Sequence, residues 1–133
     1  MKRIWKAKDT VEGWNSKPIR IPRPEDPDDD NSPVITADAT VRDVMNLVAS
    51  NAPYKTIEDS KEGRRVAEAL EEAKKSGVIE LDQGSHNWLK KASETICPQI
   101  FRINGEIVHD LIAEGYKREN EPKGKKEKAE SEE

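Results

Sequence analysis

A mainly α fold is what this sequence predicts: a small bundle of about four helices, a short strand connector, and an N-terminal β-hairpin or arm. Three observations lead there. Apolar residues recur at helical spacing in four separate windows. A residue that caps helix starts (Thr40, Thr56, Asp82 or Asn104) precedes each window. A helix-ending glycine or proline (Pro53, Gly77, Pro98 or Gly115) follows each.

The chain has 133 residues, which suits one domain. Hydrophobic residues make up 33% and charged residues 38%, against roughly 45–50% and 25% in an ordinary domain. The excess charge gathers in two stretches, so composition divides the chain into four parts. Residues 1–22 are an arm or hairpin, 23–33 an acidic Pro/Asp linker, 34–116 the helical domain, and 117–133 a charged tail. The linker and the tail hold too little apolar surface to offset the entropy of ordering, so the tail is expected to be disordered.

The elements follow in order. In residues 1–22, Ile4 and Trp5 form a short apolar patch, Glu12-Gly-Trp-Asn-Ser16 carries turn chemistry, and Ile19-Arg-Ile21 alternates like a strand between Pro18 and Pro22. A weak hairpin joining the two apolar stretches is expected, or else an irregular arm that packs Trp5 and Trp14 onto the helices. In the first helix Thr40 and Asp43 have capping-box spacing, and Val41, Val44, Met45 and Val48 make one stripe. The second helix starts near Thr56, buries Val66, Ala67, Leu70 and Ala73, and stops at Gly77. Val78-Ile-Glu-Leu81 is a strand-like connector. Asp82 caps a third helix whose face is Ser85, Trp88, Leu89, Ala92 and Ile96, which leaves His86 exposed; Pro98 ends it. Ile100–Ile103 is a short, extended link. Asn104 then caps a fourth helix with Ile107, Val108, Leu111 and Ile112 on its face.

Candidate chemistry is sparse. Asp26, Asp28 and Asp30 mimic the start of a calcium loop, but position 6 lacks glycine and position 12 is Ala37, so a solvated linker is favoured. His86, Cys97 and His109 are single ligands on different elements and form no zinc spacing. No intrachain disulfide is available to a lone cysteine, and a reducing, intracellular setting is the simplest reading. Cys97 with His109 as base would need a shared cleft that nothing in the sequence marks. No phosphate loop, serine elbow or HExxH pattern occurs. No catalytic, metal or cofactor residue is therefore assigned, and no cofactor is expected.

The net charge of −4, from 23 basic and 27 acidic residues, lacks the footprint of a nucleic-acid coat. Arg64, Arg65, Lys74, Lys75, Lys90 and Lys91 could touch phosphates, but acidic residues interleave with them, for example Glu68 beside Arg64 and Glu71 beside Lys75. Nucleic-acid binding through these positions is the second choice. No stretch approaches the ~18 apolar residues of a membrane span, and the N-terminus has no secretory pattern.

One set of segments resembles a family. Thr40-Val-Arg-Asp-Val44, Thr56-Ile-Glu-Asp-Ser60, Gly77-Val-Ile-Glu-Leu-Asp82, Trp88-Leu-Lys90, Cys97-Pro98 and Gly105-Glu-Ile-Val108 resemble small helical proteins of phages and prophages, generally of unassigned function. The resemblance covers about residues 34–112 and rests on caps and core positions. It implies a viral or prophage context, in a host cytoplasm or on a virion, and carries over no active-site residue. The expected function is a non-enzymatic protein-interaction module with a structural, assembly or regulatory role. Trp5 and Trp14 are its candidate partner-binding residues, since aromatic side chains anchor interfaces.

Overall fold

The computed structural model describes residues 2–26, 29 and 31–117. Four helices carry most of them: α1 (Val41–Asn51), α2 (Ile57–Ser76), α3 (Gln83–Phe101) and α4 (Gly105–Glu114). Five strands accompany these: β1 (Lys2–Lys6), β2 (Arg20–Pro24), β3 (Val34–Asp38), β4 (Val78–Asp82) and β5 (Tyr116–Lys117). The mainly helical class holds. The simple bundle gives way to helices packed with two small antiparallel sheets, ordered β4-β1-β5 and β2-β3.

The helix starts follow the local chemistry. Thr40 Oγ1 accepts from the Asp43 N–H at 3.2 Å, and Asp43 Oδ2 accepts from the Thr40 N–H at 3.0 Å. Thr56 and Asp59 repeat the box on α2. Gly77 ends α2 at φ 78°, where a side chain would strain the backbone. The fourth cap differs. Asn104 makes no side-chain bond to the α4 amides; its Oδ1 accepts from the Trp14 N–H at 2.9 Å instead.

Pro98 does not end α3, which continues to Phe101 through a proline in its final turn. The i−4 carbonyl that loses its donor belongs to Glu94, an exposed residue within reach of water. The expected extended link is consequently helix followed by a 3₁₀ turn, Arg102–Asn104. Gly105 then opens α4 directly against α3. A Cβ there would lie 2.9 Å from the Pro98 backbone, so this close helix crossing needs glycine.

The expected N-terminal hairpin is not formed. β1 pairs antiparallel with β4, Trp5 opposite Ile79 and Arg3 opposite Leu81, and β5 lies along its other edge. β2 pairs with β3, Ile21 opposite Ala37. The turn chemistry at residues 12–16 is real, but it closes a local reversal with a Gly13 N–H to Lys17 O bond and brings Val11 to Ile19. The acidic stretch 23–33 overlaps β2 and connects it to β3, with a Glu25 N–H to Pro33 O bond at its base. That bond and the Ala39 N–H to Ile19 O bond fix the ladder parity. Pro22 and Pro24 therefore fall where an N–H would point away from β3, and they blunt the outer edge of β2. Asp28 and Asp30 of the carboxylate run, and residues 118–133 of the expected disordered tail, lie outside the described residues. Lys117, expected in the tail, pairs with Arg3.

Side chains from every helix and from β1, β2 and β4 meet in one core. Ala67 faces solvent, and Glu62 and Gly63 join Val66, Leu70 and Ala73 on the buried side of α2. Glu62 accepts from Ser85 Oγ at 2.9 Å, which ties α2 to α3. Trp88 is only half-buried: it stacks beside Tyr54 and donates to Asp59 Oδ1 at 3.1 Å. Bonds from the Lys55 N–H and then Trp88 hold the Asp59 carboxyl below its usual range.

His86 is buried, against the expectation of exposure. With β1 it clamps the end of α4. His86 Nε2 meets Ile112 O at 2.9 Å, Trp5 Nε1 donates to Leu111 O at 2.9 Å, and Arg3 donates to Glu114 O. Leu111 O also accepts from the Gly115 N–H at 3.3 Å. These are carbonyls of the last turn of α4, where the helix itself runs out of donors and distant side chains add to them. Burial pushes the His86 pKa down, with the charges of Arg3 and Lys90 adding to the effect against the bond to Ile112. A depressed folded pKa gives stability that is full above the unfolded value of about 6.5 and is lost as pH falls through the folded value. The melting temperature should therefore fall on acidification from neutral pH. His86→Leu should flatten that dependence, and an unchanged slope would exclude His86 as its source.

Candidate functional site

The residue at the centre of the candidate site is Trp14. It sits in the reversal of residues 13–17, which is closed by Gly13 N–H to Lys17 O at 2.9 Å, Ser16 N–H to Gly13 O at 3.0 Å, and Lys17 N–H to Asn15 Oδ1 at 3.2 Å. Asn104 ties this reversal to the α3–α4 joint through the Trp14 backbone. Gly13 is needed for the approach, since a Cβ there would lie 2.6 Å from Asn104 Oδ1. The indole is 63% exposed, and Ile103, adjacent to Asn104 in the chain, is 69% exposed. Two large apolar side chains thus flank one hydrogen bond on a held backbone. Both segments contain residues at positive φ without being glycine, Ser16 at 65° and Arg102 at 53°. Such strain persists only where surrounding contacts impose it, and it collects at functional sites.

Trp5, the other candidate, has the opposite placement. It is 2% exposed, in the core between His86 and the end of α4. Its position gives it the stapling role and leaves Trp14 as the aromatic that a partner could reach.

The basic positions are not gathered into one face. Arg64 pairs with Glu68 at 4.0 Å and Arg65 with Glu62 at 3.7 Å. Lys74 pairs with Glu71 at 3.3 Å, where Lys75 was expected to do so, because Lys74 lies on the half-buried side of α2 and Arg42 shares the same carboxylate at 3.9 Å. Lys75 and Lys91 are exposed, and Lys90 is half-buried. Among the described residues no group of three or more His, Cys, Asp or Glu is placed to hold a metal, and no helix is long and apolar enough to cross a membrane.

Cys97 and His109 are not paired with each other. Burial pushes the Cys97 thiol up to about 11, so it stays protonated near neutral pH. His109 Nδ1 lies 2.6 Å from Ser93 Oγ, and that oxygen also donates to Lys90 O at 2.7 Å. Ser93 is fully buried and His109 half-buried, so the contact joins α3 to α4 at the edge of the core.

Sequence reasoning missed Ile103 and Asn104. The sequence predicts Ile103 in an extended link and Asn104 as the cap of α4. The only signal for their role was the Gly-Trp pair at 13–14, whose partner lies 90 residues away.

Fold and site define a small, helix-rich domain with a three-stranded antiparallel sheet, a two-stranded ribbon and an exposed aromatic turn. Beyond that class no relative places it: no family model, no curated protein and no solved structure matches this chain.

Proposed function

We propose that this protein is a non-enzymatic interaction module that docks a protein partner through the surface made by Trp14 and Ile103. The observation that carries the reading is the exposed Trp14 indole on a turn fixed by Asn104. An aromatic side chain on a backbone already held in place loses little freedom on binding, and tryptophan is enriched among the residues that dominate interface energies. The interleaved ion pairs along α2 support a protein partner over nucleic acid, because each arginine there already has a carboxylate neighbour. The resemblance of residues 34–112 to small phage and prophage proteins supports an accessory role in assembly or regulation, in the cytoplasm of a prokaryotic host or on the virion.

The test uses the immobilised full chain, lysate from its source cells, and a parallel gel shift with duplex and single-stranded DNA. A stoichiometric protein partner is expected. Trp14→Ala should weaken it by about 2 kcal/mol or more, a factor of about 30, while the melting temperature stays near that of the parent. Two results would defeat the reading. One is a partner retained at full affinity by the Trp14→Ala, Ile103→Ser double variant. The other is submicromolar DNA binding that weakens steeply with salt and vanishes on Arg64→Glu with Arg65→Glu.

A further inference from the structure

The end of α4 and strand β5 are fastened by β1 and by one imidazole. His86, Trp5 and Arg3 reach the carbonyls of Ile112, Leu111 and Glu114, and the β5 backbone runs beside β1, residue 116 opposite Ile4 and residue 117 opposite Arg3. We propose that this attachment is a latch released by acid: when His86 takes up a proton, residues 113–117 come away from β1 while α1, α2 and α3 stay folded.

The bonding of the ring is the first argument. His86 is 2% exposed. Its Nε2 lies 2.9 Å from Ile112 O, which can only accept, so Nε2 carries the hydrogen and Nδ1 is the bare nitrogen of the neutral ring. Nδ1 is buried and has no hydrogen-bond partner. In the neutral ring this leaves one acceptor unused. In the protonated ring it is a charged donor with nothing to bond to, which is far more costly. Arg3 Nε, on the same clamp, is likewise buried without a hydrogen-bond acceptor.

The charges that face the ring are the second. Arg3 faces it from β1 and Lys90 from its own helix, α3, and both oppose a proton on it. From α4 it meets the backbone oxygens of Ile112 and Ala113, and from β1 also the Trp5 indole, with ring centroids 5.5 Å apart. Among the described residues no carboxylate pairs with it. The carbonyls that favour the proton are outweighed by burial and by the two cations.

The third argument is how little holds the segment that closes over the ring. β5 is two residues long and pairs with β1 alone. Ala113 and Gly115 are half-buried and Glu114 is exposed, whereas Val108 and Ile112 are anchored in the core. Gly115, at φ 50°, turns the chain against the Trp5 ring, which lies beside His86. Short segments with few buried side chains open without global unfolding. Opening lets water reach the ring, so the open form takes up a proton at the ordinary value of about 6.5 and the closed form only below it. Opening is therefore favoured as pH falls, by up to about tenfold per pH unit between the two values.

Hydrogen exchange of the full chain, followed by NMR from about pH 7.5 to about pH 5.5 and corrected for the chemical rate, tests this. Protection of the Gly115 amide, which bonds to Leu111 O, is expected to fall about tenfold. At the lower pH the Leu70 amide in α2 should remain at least about tenfold better protected than that of Gly115. His86→Gln keeps a side-chain N–H donor but cannot titrate, and it should hold the Gly115 protection within about twofold across the range. His109→Gln removes the other imidazole and should leave the fall intact. Should His86→Gln fail to fold, the ring protons of His86 in the parent decide, with a midpoint below about 6.5 expected. No fall at Gly115, equal protection of Gly115 and Leu70 at the lower pH, a fall kept in His86→Gln or lost in His109→Gln, or a His86 midpoint at or above about 6.5 would overturn the proposal. None of these outcomes bears on partner docking at Trp14, which uses separate residues.

Discussion

Trp5→Ala is expected to cost about 3–5 kcal/mol of folding stability, the range for removing a buried aromatic side chain. Three losses combine. The indole leaves a cavity in the core, where it packs beside His86 with ring centroids 5.5 Å apart. Leu111 O loses the indole N–H as a partner. Gly115 loses the surface against which it turns, since a Cβ there would sit 2.7 Å from the Trp5 ring. As β1 is the central strand of its sheet, β4 and β5 lose their common support. Denaturant melts decide the matter, with Trp14→Ala as the companion. The exposed Trp14 should change stability by no more than about 0.5 kcal/mol. A loss below about 1 kcal/mol for Trp5→Ala would show that β1 is not part of the cooperative core.

Leu70→Ala is expected to cost about 2–5 kcal/mol, a large share of the 5–15 kcal/mol that holds a typical domain together. Leu70 is buried in the core on α2, and its carbonyl accepts from Arg42 Nε at 2.8 Å. A backbone shift around the cavity would therefore reach α1 as well. Trp88→Ala should cost less than Leu70→Ala, although tryptophan is the larger residue. Trp88 is half-buried, and what it loses is the contact with Tyr54 and the bond to Asp59 near the surface. Melts that rank Trp88→Ala above Leu70→Ala would reverse the assignment of which of the two stripes lies deeper.

His86 and Cys97 show where a sequence reading of chemistry runs short. By side-chain chemistry alone both are candidate ligands, and the thiol a candidate nucleophile. Their burial on α3 decides their behaviour: an imidazole that stays neutral over a wider pH range, and a thiol that resists ionisation.

The sequence by itself determined the helical class, the starts of α1 and α2 at Thr40 and Thr56, the start of α3 at Asp82, and the stops at Gly77 and Gly115. Each depends on residues within about four positions of one another, because caps and i, i+4 stripes are local interactions. It also held the turn at residues 13–16, which closes on itself. Tertiary structure alone decided the partners of the strands. Lys2–Lys6 offers the same edge to any strand, and what selects Val78–Asp82 is the core that Trp5, Ile79 and Leu81 make together, from positions more than 70 residues apart. The same holds for Asn104, whose side chain could cap α4 but bonds to Trp14. Where two uses of one residue compete, the choice rests with the contacts that the whole fold supplies.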